Sequence, residues 1–356
     1  MKILLVSLFV ILILAGWMVF DTVKDAGEFK NIEPHVAGKV EKVPGVIGAE
    51  DITIHPQAGL AYLSCDDRRA NLAGRETQGM IFVYDLKSEN PELQNVTSNF
   101  EQEFHPHGIS LFISPAGEER LFVVNHRRQG HFVEIFQIEG VGQQLVHLES
   151  IQDALMHSPN DLVAVGPRSF YVSNDHGSVS EFGRTLEEYL RLAKSNVLYF
   201  DGSKFTVAAE NILYANGINV SHDGQTVYVA ATTGGKIHVF DRNLSTGALE
   251  IRKTIDLGTG VDNIELDQEG NLWIAAHPKL LTFVDHAKDE KNLSPSQVLK
   301  ISAASSEHHL IDEVFLDAGE TLSGSSVAAL FDDTLLIGSV FDKHFLVLEM
   351  PSTTWK

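Results

Sequence analysis

Glu50-Asp51-Ile52-Thr53-Ile54, the turn His55-Pro56-Gln57-Ala58-Gly59 and the apolar run Leu60–Leu63 make one short phrase: a polar pair, a strand, a tight turn and a second strand. The phrase returns five times. His107-Gly108 leads Ile109–Ile113 and, after a turn, Leu121–Val124; Asn160-Asp161 leads Leu162–Val165 and Phe170–Val172; Asn216-Gly217 leads Ile218–Val220 and Val227–Ala230. Asp262-Asn263 leads Ile264–Leu266 and Leu272–Ala275, and Ser325-Ser326 leads Val327–Leu330 and Leu335–Gly338. Six copies of a hairpin about 55 residues apart are the mark of a repeat architecture. Third strands are expected at Ile81–Tyr84, Val133–Ile138, Val197–Phe200, Ile237–Phe240, Leu280–Val284 and Phe345–Leu348. Units of about four short antiparallel strands at this period predict an all-β, six-bladed β-propeller.

That geometry gives the polar pairs a meaning. The innermost strand of each blade lines the central channel, so the residues just before it meet in a ring at the channel mouth. Here the ring is Glu50, His107, Asn160, Asn216, Asp262 with Asn263, and Ser325. Any one of these is an ordinary turn residue. Four carboxylates or carboxamides in equivalent places are a different matter, because converging carbonyl-type oxygens suit a hard cation such as Ca²⁺. In the second blade His107 and His126 lie on adjacent strands. If they touch, one ring can hold the other's tautomer for taking a proton from water; the alternative is two structural histidines.

Bulk properties narrow the field. The chain has 356 residues and a net charge of −21, with 48 acidic residues against 27 basic ones, which argues against a nucleic-acid partner. Cys65 is the single cysteine, so no intrachain disulfide can form. Residues Ile3 to Phe20 are uncharged and almost wholly apolar, about the shortest run that spans a bilayer. No small-x-small cleavage site follows Ala15-Gly16, so residues 1–20 read as an uncleaved signal anchor. Lys2 before it and Asp21, Asp25 and Glu28 after it orient the remainder outside the cytoplasm, periplasmic or extracellular. Residues 21–44 form a linker in which a strand near Val36–Val43 is expected to complete the last blade, and 45–350 form the propeller. The charged loop from Cys65 to Gly79 is a solvated loop or a lid. Thr185–Lys194 reads as a helix with Thr185 as N-cap and Glu188 completing a capping box, its apolar positions packed on the propeller.

Eight motifs then carry a resemblance: HPHGIS (His105–Ser110), VVNH (Val123–His126), NDLVAVG (Asn160–Gly166), SNDH (Ser173–His176), ANGIN (Ala215–Asn219), KIHVF (Lys236–Phe240), VDNI (Val261–Ile264) and LLIGSVF (Leu335–Phe341). In order and spacing they resemble the serum paraoxonase/arylesterase family from about Gly45 to Leu348. The resemblance implies a six-bladed propeller with two calcium ions that hydrolyses lactones and aryl esters. It implies a catalytic calcium on Glu50, Asn160, Asn216, Asp262 and Asn263, which is the ring reached above from geometry. It implies a structural calcium on Asp51, Asp161 and the carbonyl of Ile109, and a catalytic pair His107–His126, with Glu50 or Asp262 as alternative base or nucleophile. The family's ring-clasping cysteines are absent; their neighbourhoods hold Lys39 and Val347, and Ala276 replaces a third cysteine. The stretch Ala231-Thr232-Thr233-Gly234-Gly235 stands where the family carries bulkier groups, which leaves side-chain preference open.

On this reading a calcium-polarised ester carbonyl is attacked by water activated by the histidine pair, with Tyr214, Val340 and Phe341 as an apolar substrate wall or, equally, as core. The expected partners are a small lactone or ester and, through the anchor, a membrane. Two alternatives stand: a gluconolactonase- or strictosidine-synthase-like propeller enzyme, and a calcium-stabilised binding propeller with no turnover.

Overall fold

The computed structural model describes residues 2–140 and 144–351. Helix α1 (Lys2–Asp25) leads in. The side chains of residues 2–6, 8, 11 and 15 are outside the described set, and so is residue 1, so the anchor expected over 1–20 is only partly described. Among the described residues no helix is long and apolar enough to cross a membrane.

The strands that follow form six antiparallel sheets around one axis, built outward from successive strands except that the linker supplies the outermost strand of the last two blades. The innermost strands are Ala49–Ile54, Pro106–Ile113, Pro159–Ala164, Ala215–Val220, Gly260–Leu266 and Ser325–Phe331. The fold is an all-β, six-bladed propeller. Its core lies between adjacent blades, where apolar residues on facing sides interdigitate; Tyr62, Ile81 and Leu121 of blades one and two make one such layer. The ring closes without a disulfide. Lys39–Pro44 from the linker pairs antiparallel with His344–Glu349 as the outer strand of the last blade, Val43 opposite Phe345. His35–Val36 adds a fifth strand to blade five.

Two readings of secondary structure are corrected. Leu280–Val284 is not the third strand of blade five: it lies in helix α4 (Leu280–Lys288), and Ser296–Ser302 supplies the strand. An apolar run of five residues cannot distinguish helix from strand by period. What starts this helix comes from far away in sequence. Lys279, its N-cap residue, makes no side-chain cap bond. Instead Glu28 Oε1 accepts from the backbone N–H of Leu281 at 2.8 Å and of Thr282 at 3.1 Å, and Oε2 accepts from Thr282 Oγ1 at 2.7 Å. Glu28→Ala is therefore expected to cost about 1 kcal/mol, the usual worth of a cap, read as a fall in melting temperature; an unchanged melting temperature would contradict the cap.

The second correction is α3, which runs Glu181–Leu190 with Ser180, not Thr185, as N-cap: Ser180 Oγ accepts from Gly183 N–H at 3.1 Å. Its apolar side does not pack on the propeller. Phe182 is 74% exposed and Tyr189 50%, whereas Glu187 is buried. The inward face is polar because it serves buried groups: Glu187 Oε2 accepts from Gly177 N–H at 2.8 Å and Glu188 Oε1 lies 2.9 Å from His176 Nε2.

Candidate functional site

Every innermost strand slips register by a bulge at its polar pair: between Ala49 and Asp51, Pro106 and Ile109, Pro159 and Leu162, Ala215 and Ile218, Val261 and Ile264, and Ser325 and Val327. A bulge turns the chain and leaves polar groups unpaired with the ladder. Repeated six times around one axis, it delivers the pairs to the channel mouth. Glycine follows two of the ring residues because neighbouring strands pass very close there. A Cβ on Gly108 would lie 2.3 Å from Asp161 Oδ1, and one on Gly217 2.5 Å from the carbonyl of Asp262.

The ring residues converge and are buried: Glu50, Asn160, Asn216, Asp262 and Asn263. Asn216 Nδ2 donates to Asp262 Oδ1 at 2.6 Å, and Asn263 Nδ2 donates to Glu50 Oε1 at 3.0 Å. Asn160 Nδ2 reaches Asp175 Oδ2 outside the ring at 3.5 Å, so the amide nitrogens are taken by carboxylates while oxygens are left over. Glu50 Oε2, Asn160 Oδ1, Asn216 Oδ1 and Asn263 Oδ1 are all buried with no hydrogen-bond partner. Four orphaned oxygens at one point are costly unless something positive satisfies them. The donor chemistry fits a hard cation. It is largely carboxamide: among the described residues no three His, Cys, Asp or Glu side chains cluster as a metal site. Ser325, the expected sixth member, turns its hydroxyl to the carbonyls of Ala276 and Gln297, each at 3.2 Å, while the hydroxyl of the neighbouring Ser326 donates to the Glu50 carbonyl at 2.6 Å.

One residue along, Asp51 and Asp161 face the channel interior. Asp51 accepts from Ile52 N–H at 2.9 Å and Ile109 N–H at 2.7 Å. Asp161 accepts from Leu162 N–H at 2.7 Å and Ile218 N–H at 2.8 Å. Two lone pairs of each carboxylate are used and the rest remain free. Burial pushes both carboxyls well above the ordinary range; next in weight is the Glu50 charge for Asp51 and the Asp51 charge for Asp161. Glu50 and Asp262 are raised by burial too, against the opposing pull of Arg68 on the first and His277 on the second.

His107 and His126 do touch. His107 Nδ1 is 2.9 Å from His126 Nε2, and His107 Nε2 is 3.6 Å from Glu50 Oε1. Burial first, then the Arg68 charge, pushes His107 down to about 3, so the ring is neutral at pH 7. Burial also lowers His126 far below its usual value, with the His107 ring next.

A cavity of about 310 Å³ opens over the ring. Tyr214, Val340 and Phe341 line it, together with Leu280, Leu281, Phe283 and Val284 of α4, so the misread segment forms much of the apolar wall. Thr232 and Thr233 line it as well. The loop after Cys65 lies on this face of the propeller. It contains helix α2 (Arg68–Leu72), capped by Asp67, and brings Arg68 Nη2 to 3.6 Å from Glu50 Oε2 and 3.0 Å from the Pro106 carbonyl. Beside it Arg69 stacks on Phe341, 4.5 Å from the ring centroid.

Several site residues lay beyond the reach of sequence reasoning: Arg68, Asp175, His277 and His131. Asp175 and His176 belong to the SNDH motif, which was the available signal. Asp175 Oδ1 is 2.6 Å from His176 Nδ1. Burial opposes charge on His176, yet the carboxylates of Asp175 and Glu188 outweigh it and raise the ring to about 9. His277 Nε2 lies 2.8 Å from Asp262 Oδ2 and stacks on Phe283 at 3.8 Å.

Comparison with known proteins gives a consistent picture. The arylesterase family model matches residues 28–348. The chain is 36% identical over 322 residues to serum paraoxonase/arylesterase 1 of Homo sapiens, covering 88% of this chain and 90% of that protein. It is 39% identical over 306 residues to serum paraoxonase/arylesterase 2 of Bos taurus, covering 83% and 84%. Among solved structures, a luciferin-regenerating enzyme superposes with a TM-score of 0.57 at 17% identity, covering 89% of this chain and 96% of that one, a likeness of fold alone.

Proposed function

This chain belongs to the arylesterase family, and from that premise we propose that it is a calcium-dependent hydrolase of lactones and aryl esters. The observation that carries the reading is the set of four buried oxygens without a hydrogen bond, on Glu50, Asn160, Asn216 and Asn263, beneath an apolar-walled cavity. With Asp262 they would hold one calcium ion. Asp51, Asp161 and the carbonyl of Ile109 would hold a second, structural one. When bound in the ring, calcium supplies a Lewis acid for an ester carbonyl.

The protein's own groups do the rest. Leu280, Phe283, Val340, Phe341 and Tyr214 take up an aliphatic or aryl side of the substrate and exclude water from it. His107 Nε2, on the site side of the pair, takes the proton from the attacking water. His126, held at 2.9 Å, fixes the His107 ring. As the carbonyl is attacked, the C–O bond to the alcohol portion breaks; in a lactone the ring opens to a hydroxy acid, and the proton returns to the leaving alkoxide. Arg68, beside Glu50, adds positive charge to a mouth dominated by carboxyls.

The anchored, extracytoplasmic location expected from residues 1–20 is part of the proposal. Only the membrane part draws on the structure: Thr22 and Asp25 of α1 and the adjoining Ala26 line the cavity, and exposed Val179, Phe182, Tyr189 and Leu190 lie in and beside α3, whose Glu188 and Tyr189 reach the same cavity. The test of the enzymatic reading is acid release from a long-chain aliphatic lactone and from phenyl acetate. Turnover of both is expected. Folded, calcium-loaded protein that turns over neither would overturn it and favour a binding propeller.

A further inference from the structure

Phe341 stands between three cavities. It lines the substrate cavity of about 310 Å³, a cleft of about 880 Å³ along the loop after Cys65, and a third cavity of about 400 Å³ at the end of α4; among the described residues it is the one that lines all three. Phe341 is buried, so its ring fills the partition between them. Moving the ring aside would join the substrate cavity to the outer two. As it stands, the substrate cavity lies near the lower end of the roughly 300–1,000 Å³ usual for small-molecule sites.

The position of that ring is set by a residue from α2. The guanidinium of Arg69 covers one face of it, 4.5 Å from the centroid, while Phe283 and His286 of α4 stand at 5.9 and 5.8 Å. Arg69 is itself fixed on α4. Its Nη2 donates to the carbonyl of His286 at 2.8 Å and to His286 Nε2 at 2.9 Å, and its Nη1 donates to the carbonyl of Phe341 at 3.4 Å. A guanidinium only donates, so Nε2 is the bare nitrogen of His286. Nδ1, 2.7 Å from the Asn292 carbonyl, carries the hydrogen. Both nitrogens of this buried ring are thus engaged, which makes it a firm anchor. Arg69 therefore ties together α2, α4 and the turn at Phe341, three segments separated by more than two hundred positions from the first to the others.

We infer, given the ester hydrolysis proposed above, that Arg69 is a positioning residue that sets substrate size: by holding the Phe341 ring between α2 and α4 it closes the substrate cavity and limits the bulk of the aryl or acyl group that the site accepts. Arg69 does not line that cavity and acts on it through Phe341. Lysine is a poor substitute, because an ammonium is a point charge and not a planar fork that stacks on a ring while bonding two carbonyls.

The test uses the full chain loaded with calcium and two acetates that differ only in the aryl group, phenyl acetate and the bulkier 1-naphthyl acetate. The readout is the ratio of their kcat/KM values, because a loss of folded protein lowers both rates and leaves the ratio alone. Arg69→Ala is expected to raise the naphthyl-to-phenyl ratio about tenfold, the lower end of what fit to one small apolar group is worth. Arg69→Lys keeps the charge and replaces Arg69→Ala if that variant does not fold; it is expected to raise the ratio in the same sense. Phe341→Ala opens the partition directly and is expected to raise the ratio too. Adding Arg69→Ala to Phe341→Ala is then expected to change the ratio little, since two residues acting through one wall are not additive. A wild-type ratio in the Arg69 variants overturns the inference. So does a double variant in which Arg69→Ala raises the ratio by its full factor again. Either result leaves ester hydrolysis at this site standing where the wild type hydrolyses phenyl acetate; a wild type that hydrolyses neither acetate overturns both.

Discussion

Replacing His107 by Gln is expected to lower kcat/KM for a lactone by about 10²-fold, the lower end of what a general base contributes, with KM nearly unchanged. The lower end is chosen because burial holds this ring at about 3, and a weaker base removes a proton less effectively. Gln keeps the ring's approximate volume and a hydrogen-bonding end, so the cavity and the contact with His126 suffer little. The same low value predicts the shape of the wild-type pH profile. A histidine with its usual pKa would give an acid limb near 6.5; here the rate should stay flat through that region and fall only at lower pH. A His107→Gln protein with wild-type kcat would transfer the base's role to Glu50, 3.6 Å from His107 Nε2, or to Asp262 on the far side of the ring.

Removing calcium is expected to destabilise the protein by about 4 kcal/mol relative to an ion concentration a thousand times its dissociation constant, and by an amount that depends on pH. Without the ion, Glu50, Asp51, Asp161 and Asp262 are carboxyls whose pKa values are raised, first by burial. A carboxyl with a raised folded-state pKa binds its proton more tightly folded than unfolded. Its contribution to stability is fully present below the unfolded value, near 4, and is lost as pH rises through the raised one. The calcium-free protein should therefore gain stability as pH is lowered from 8 toward 5, while the calcium-loaded protein, whose carboxylates are already neutralised, should change little. Melting curves with and without calcium should diverge at pH 8 and converge toward pH 5. A gap that is independent of pH, or no gap, would contradict the assignment of these carboxyls to cation sites.

The propeller was legible because it says the same thing six times: a polar pair, an apolar strand and a turn recur at a period that no single segment could establish. The ring was legible for the same reason, since equivalent positions in six copies must meet at the axis. The bulges that aim those pairs were not, because one residue out of register leaves no trace in composition. Helix α4 was misread for a physical reason: Leu280-Leu281-Thr282-Phe283-Val284 suits either state, and the carboxylate that tips it toward helix is Glu28, 253 positions upstream of Leu281. The outward apolar side of α3 was unforeseeable from its own residues, because the burial of Glu187 and the pairing of Glu188 are decided by Gly177 and His176. His107 and His126 stood out as neighbours on paired strands, whereas no motif pointed to His131, five positions beyond His126. Arg68 came from a loop whose face of the molecule no local pattern specifies.

Whether the oxygens gathered at the channel mouth hold a calcium ion on which ester hydrolysis depends is tested most directly by acid release from a long-chain lactone by the wild type and by Asn216→Ala, each with calcium present and after chelation. Wild-type turnover is expected to vanish on chelation and return with added calcium, and to be at least a hundredfold less in Asn216→Ala, roughly the worth of a lost transition-state contact of this kind. Turnover that survives chelation, or survives intact in Asn216→Ala, would contradict it.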